Sequence, residues 1–271
     1  MPWRRSSRPS PLGCCSPRRR AAGSPTRAPR PAPTSSNDMI RQALALLLLS
    51  IPGAGLAQGW QCSIPPQIAV PRLPAPDAPP RLTPITGYTL AASWSPEFCR
   101  TRKDDPRHAT QCSGKHGRFG FVLHGLWPEG RDGQFPQYCP SRRLPDAQTL
   151  RRNFCTTPSA DLMMHEWARH GTCMSADPAA YFDKGRALFQ SLRFPDMARL
   201  SRTPGLDASK MREAMSVANP QLRPDMIRLL LGRDGWLREV HVCLSRRMKP
   251  ARCPGGTKPA DTVPVKIWRS F

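Results

Sequence analysis

Phe121-Val122-Leu123-His124-Gly125-Leu126-Trp127-Pro128 and Leu162-Met163-Met164-His165-Glu166-Trp167-Ala168-Arg169-His170-Gly171-Thr172-Cys173 carry most of the information in this chain. The apolar run leading into the first segment, Phe119–Leu123, reads as a strand with His124 at its C-terminal end. The second segment has helical spacing from Ala160 to His170, with Ser159 or Asp161 near its start and Gly171 as a stop signal. Placed on a helix, His165 and Arg169 are i, i+4 neighbours, as are Glu166 and His170, and all four fall within an arc of about 140°. Leu162, Met163 and Trp167 take other directions and are expected to pack inward. Three of the chain's six histidines lie in these two segments, beside one carboxylate and one permanent cation.

Outward from there, Tyr88–Trp94 (YTLAASW), bounded by Gly87 and Pro96, reads as another strand. Residues 146–154, 178–192 and 207–218 read as helices, with Asp146 as an N-cap and Pro178 in a first turn. Met226–Leu231 and Trp236–Leu244 flank Gly232-Arg233-Asp234-Gly235, the pattern of a β-hairpin. Strands and helices are interspersed without regular βαβ units. The expected class is therefore α+β, a mainly antiparallel central sheet flanked by helices. Residues 63–84 hold eight prolines. A Pro-rich, extended lead-in is expected over 58–85, followed by one folded domain over 86–271.

Residues 1–38 contain eight arginines and eight prolines, with no acid before Asp38. Such a segment buries too little apolar surface to offset its ordering entropy, so it is expected to be disordered or a mis-assigned extension. Met39-Ile40-Arg41-Gln42, the apolar run Ala43–Leu49 and the small residues ending Gly55-Leu56-Ala57 read as a secretory signal peptide over 39–57. Met39 is accordingly read as the true start, a basic targeting segment being the alternative. The apolar run is short for a membrane span. The expectation is a monomer, periplasmic or secreted, without stable membrane association once the signal is removed.

Residues 1–57 hold nine of the 41 Lys/Arg and one of the 19 Asp/Glu, so residues 58–271 keep 32 bases and 18 acids, a net charge of +14. A surplus of that size attracts polyanions and speeds their encounter, with nucleic acid the obvious partner; a soluble charged surface is the plainer alternative. Apart from Cys14 and Cys15, the cysteines are Cys62, Cys99, Cys112, Cys139, Cys155, Cys173, Cys243 and Cys253. An even count behind a signal peptide points to four disulfides in an oxidising compartment, with 105 possible pairings. No Cys-x-x-Cys pair occurs among these eight, which argues against a cysteine metal site.

Two histidines five residues apart on one helix diverge by about 140°, unlike the i, i+4 ligands of His-Glu-x-x-His, and Arg169 puts a cation beside any metal. A metallohydrolase is the weaker reading. Cleavage of RNA asks for different parts. The 2′-hydroxyl must lose a proton as it attacks phosphorus, the 5′-oxygen must gain one, and the charged phosphorane between them needs fixed donors. Imidazoles can serve as base and acid near neutrality, and a protonated third histidine with an arginine can hold the phosphate. These residues meet every requirement without a cofactor. A solvated charged face is the bland alternative for the helix, and a catalytically weak RNA-binding protein is the alternative for the whole chain.

At these residues the sequence closely resembles the ribonuclease T2 family. Its first active-site segment, His-Gly-Leu-Trp-Pro, stands here as His124–Pro128. Its second, His-Glu-Trp-x-Lys-His-Gly-Thr-Cys, stands as His165–Cys173 with Arg169 in the lysine place. The likeness runs over roughly residues 86–255, including Ser93-Trp94-Ser95-Pro96 and the Glu239-Val240-His241-Val242-Cys243 strand. It implies a metal-independent, cofactor-free endoribonuclease of little base specificity, cleaving single-stranded RNA through 2′,3′-cyclic phosphates to 3′-phosphates. By position, His170 is the expected general base and His124 the general acid. His165 would bind phosphate, and Glu166 and Arg169 would steady the developing charge. Trp127 is expected to line the site. Tyr138 and Phe121 are stacking candidates, with a core role as the alternative. The resemblance also implies Cys139–Cys173, Cys99–Cys112 and Cys243–Cys253, leaving Cys62 with Cys155. Arg169 keeps the charge but replaces a compact ammonium with a planar fork, and activity is expected to survive. His108 and His116 are expected to be solvent-exposed, and His241 packed or at an edge rather than catalytic.

Overall fold

Residues 59, 60 and 62–269 are described by a computed structural model. The basic extension expected over 1–38 and the signal peptide expected over 39–57 lie outside the described residues, as do Cys14 and Cys15. The elements in chain order are β1 (Gly59–Trp60), β2 (Gly87–Trp94), α1 (Ser95–Cys99), α2 (Ala109–Cys112), β3 (Arg118–Phe119), β4 (Phe121–Glu129), α3 (Ala147–Asn153), α4 (Ala160–Arg169), α5 (Pro178–Gln190), α6 (Met197–Leu200), α7 (Ala208–Ala218), β5 (Ile227–Leu231) and β6 (Leu237–Ser245). β4, β2, β6 and β5 form a sheet in that order with every neighbouring pair antiparallel, and β1 pairs separately with β3. This is the α+β architecture expected from the sequence.

Period-2 alternation divides the sheet into two faces. Leu90, Ala92 and Trp94 of β2 and Val240, Val242 and Leu244 of β6 belong to the buried core. There they meet Tyr181, Phe182 and Phe189 of α5 and Met211 and Met215 of α7. Each large apolar side chain buried in this way contributes about 1.5–3 kcal/mol. The intervening residues Ala91, Ser93, Glu239 and His241 are on the other face, with Ser93 opposite Glu239 and Ala91 opposite His241. α4 packs along β4, the edge strand.

The hairpin and the longer helices fall where the sequence puts them. Asp146, Ser159 and Asp207 cap α3, α4 and α7 by accepting backbone N–H bonds. One strand differs. The expected Phe119–Leu123 strand breaks at Gly120, and β4 then continues through His124 to Glu129. Pro128 is tolerated within it because an edge strand leaves one row of N–H groups without a ladder partner.

Residues 62–86 form no helix and are strapped to the body. Ser63 N–H donates to the His116 carbonyl (2.9 Å) and the Arg151 guanidinium to the Pro65 carbonyl (2.7 Å). Arg81 and Gln137 exchange two backbone bonds (2.9 and 3.0 Å). The three disulfides implied by the resemblance, Cys99–Cys112, Cys139–Cys173 and Cys243–Cys253, are present, and so is Cys62–Cys155, the pair left over.

Candidate active site

His124 is placed by an irregularity in β4. Ala91 lies opposite Gly125 and Ala92 opposite Leu123, so His124 is the extra residue of a β-bulge. In a regular strand residues 124 and 127 would project from opposite faces. The bulge turns them to the same side, and the His124 ring meets the Trp127 ring edge-on, centroids 5.1 Å apart. His124 therefore sits within the strand rather than at its end, a correction to the sequence reading. The bulge escapes sequence inspection because an apolar run carries no period. Gly125 matters for contact: a Cβ there would overlap the Glu166 carboxylate and the Trp127 indole nitrogen.

α4 supplies the second half. Met163, Met164, Trp167 and Ala168 are buried, while Leu162 is only half-buried. Trp167 Nε1–H donates to the Arg143 carbonyl (2.9 Å). Glu166, 3% exposed, accepts from Trp127 Nε1–H through Oε2 at 2.6 Å, and its Oε1 lies 3.6 Å from His124 Nε2. His170 is the C-cap, turned off the helical path, with its ring 5.6 Å from that of Trp127. A Cβ on Gly171 would overlap Trp167 and Tyr181, so this close approach needs glycine. Cys173, just beyond, is anchored by its bond to Cys139. Two distant segments thus bring His124, His170 and Glu166 around one indole.

The electrostatics separate the two histidines. Burial pushes the His170 imidazole down to about 3, helped by the charges of Arg169 and His165. Its Nδ1 is buried without a hydrogen-bond partner among the described residues. Burial also opposes charge on His124, but the Glu239 hydrogen bond and the Glu166 and Glu239 carboxylates outweigh it and raise its pKa. Burial lifts Glu166 to about 7, against the pull of His124 and Trp127. Glu239 is held far below the usual carboxylate range: burial works against its charge, and hydrogen bonds with His124 and His241 overcome it. His165 is half-buried, and burial lowers it although Asp77 favours its charge.

Arg169 is not open. Its Nη1 lies 2.9 and 2.8 Å from the two Asp77 oxygens, and Asp77 belongs to the strap. Tyr138 donates to the same carboxylate through its hydroxyl (2.6 Å). Tyr138 is buried and committed to Asp77, which corrects its reading as a stacking platform. Phe121 is also corrected: it is 3% exposed and stacked on Phe194 in the core, centroids 4.1 Å apart. Phe135, not singled out in the sequence, is half-buried with its ring 5.8 Å from His170.

His108 and His116 are half-buried, not open to solvent. The first packs edge-on against Phe98 and the second bonds the Ser63 carbonyl through Nδ1 (3.0 Å). His241 is a strand residue whose Nε2 is 2.6 Å from Glu239 Oε2. Among the described residues, no group of three or more His, Cys, Asp or Glu is clustered as a metal ion requires, and no helix is long and apolar enough to cross a membrane.

The Ribonuclease T2 family model matches residues 86–218. A "Ribonuclease" of Aeromonas hydrophila is 34% identical over 167 residues, spanning 59% of this chain and 71% of that protein. A "Probable ribonuclease" of Haemophilus influenzae is 28% identical over 181 residues, spanning 63% of this chain and 61% of its own length. Among solved structures, trichomaglin, described as an S-like ribonuclease, has a TM-score of 0.55 at 19% identity, covering 68% of this chain and 97% of its own. An RNase-related protein from Calystegia sepium has a TM-score of 0.53 at 22% identity, covering 67% and 96%. These last two likenesses concern the fold.

Proposed function

From the chain's membership of the ribonuclease T2 family, we propose that it is an endoribonuclease that cleaves single-stranded RNA by metal-independent transesterification. The observation carrying this reading is the pair of imidazoles pushed in opposite directions beside one indole. His170, neutral above about pH 3, is the base that takes the 2′-hydroxyl proton. His124, charged to a pH above the ordinary imidazole value of about 6.5, is the acid that protonates the leaving 5′-oxygen. The product is a 2′,3′-cyclic phosphate, later opened to a 3′-phosphate as the two roles reverse. In this reading His165 binds the phosphate, and Glu166 and Arg169, the latter once released by Asp77, steady the developing charge. Trp127 and Phe135, whose rings lie 5.6 and 5.8 Å from that of His170, are the stacking candidates of this reading, and stacking on an aromatic ring tolerates any base.

The reading is tested on polyuridylate and polyadenylate with EDTA present. Cleavage of both with cyclic phosphate ends is expected. His124→Ala and His170→Ala should each lower kcat by about 10²- to 10⁴-fold. The profile of kcat/KM should have its basic limb above pH 6.5, because His124 must keep its proton. Activity abolished by EDTA, or unchanged in His124→Ala, would refute it.

A further inference from the structure

We propose that Glu239 is a positioning residue of this centre, fixing His124 with its proton on Nδ1 so that Nε2 faces the reacting phosphodiester. The inference rests on the ribonuclease reading above. β6 lies outside the segment matched by the family model, which ends at residue 218. The register of β6 on β2 sets Glu239 across from Ser93 and His241 across from Ala91. The Glu239 carboxylate, 6% exposed, uses both oxygens. Oε1 lies 2.9 Å from His124 Nδ1 and accepts from Ser93 Oγ–H (3.1 Å), while Oε2 lies 2.6 Å from His241 Nε2. Held at both ends, it cannot turn away.

A buried carboxylate persists only when paired, and an ionised one can only accept. Nδ1 of His124 must therefore carry the hydrogen of that bond, which leaves Nε2, 3.6 Å from Glu166 Oε1, as the nitrogen that donates. The groups facing His124 are Glu239 and Arg238 from β6, Ser93 from β2, Trp127 from β4 and Glu166 from α4, and its charge is also felt by His165 on α4 and His170 at the end of that helix. His241 stands behind Glu239 and shares its charge. In the cleavage step the Nε2 proton passes to the 5′-oxygen as the P–O bond breaks. His124 becomes neutral with Nδ1–H still bonded to Glu239, and Glu239 stays ionised throughout. It touches no substrate and acts through the imidazole.

The test is ¹⁵N NMR of histidine-labelled full-length protein, with the His124 signals assigned by their loss in His124→Ala, alongside kinetics on polyuridylate. In the wild type the neutral His124 should hold its proton on Nδ1 and titrate above about 6.5. Glu239→Gln should move that titration, and the basic limb of kcat, lower by about one pH unit. It should lower kcat about 10- to 100-fold while leaving KM little changed, and Glu239→Asp should recover part of the loss. A merely structural Glu239 would change Tm and leave the titration in place. A neutral His124 protonated on Nε2 in the wild type overturns the proposal without recourse to any variant. So does an identical His124 titration in wild type and Glu239→Gln. A wild type with the expected NMR pattern but no RNA cleavage would instead overturn the ribonuclease reading.

Discussion

Glu166 and Glu239 are both buried carboxylates near His124, and their surroundings drive them apart. Glu166 prefers its neutral form up to about pH 7, whereas Glu239 stays ionised in acid. The stability consequences have opposite signs. Relative to an unfolded value of 4.5, the raised Glu166 costs nothing below that pH, and the cost grows until about pH 7. It then amounts to about 3 kcal/mol. Glu239 contributes stability above its unfolded value of 4.5 and loses it as pH falls through its depressed folded value. Glu166→Gln, which mimics the neutral acid, should therefore raise Tm more at pH 8 than at pH 4.5, by thermal melts at both. An equal shift at the two pH values would contradict the raised pKa. His124, His165, Glu166, Arg169 and His170 were legible because they occupy two short segments whose order is itself distinctive. Asp77 and Glu239 were not. They reach Arg169 and His124 across 92 and 115 residues of sequence; the Glu239–Cys243 strand is recognisable as part of the family likeness, but nothing in it names His124 as the partner of its carboxylate.

At the scale of elements, capping residues and turn chemistry made most boundaries readable, since Asp146, Ser159, Asp207 and the Gly232–Gly235 turn act within a few residues of themselves. The apolar run that marks the strand in the sequence stops at Leu123, whereas pairing with β2 carries β4 on through His124, Gly125 and Pro128. Gly125→Ala tests how tightly β4 meets α4. The added methyl has no room beside Glu166 and Trp127. We expect a loss of about 1–3 kcal/mol in urea denaturation, together with a fall in kcat. The strap makes a separate claim. Asp77 occupies Arg169 as a phosphate would, yet it is largely exposed and ion pairs there stabilise little. Asp77→Asn should leave Tm nearly unchanged and lower KM for RNA several-fold at low salt. An unchanged KM would show that Arg169 is not a phosphate contact.

For the whole molecule, composition fixed the partner class more loosely than the motifs did. A net charge of +14 over residues 58–271 says polyanion and no more. Its measurable effect is on encounter. KM for RNA should rise with added salt, linearly on a double-logarithmic plot, while kcat changes little. A salt-independent KM would mean that the charge serves only solubility. The strap leads from Cys62, bonded to Cys155, to the start of β2, and Asp77 lies midway along it. If a protease nicks the strap within residues 63–76, the upstream piece stays covalently attached through sulfur. Such a molecule would migrate as one band without thiol and as two with it. With or without thiol, Asp77 would then hang on the free end of the downstream piece, its hold on Arg169 loosened while the side chains of the candidate site kept their own supports.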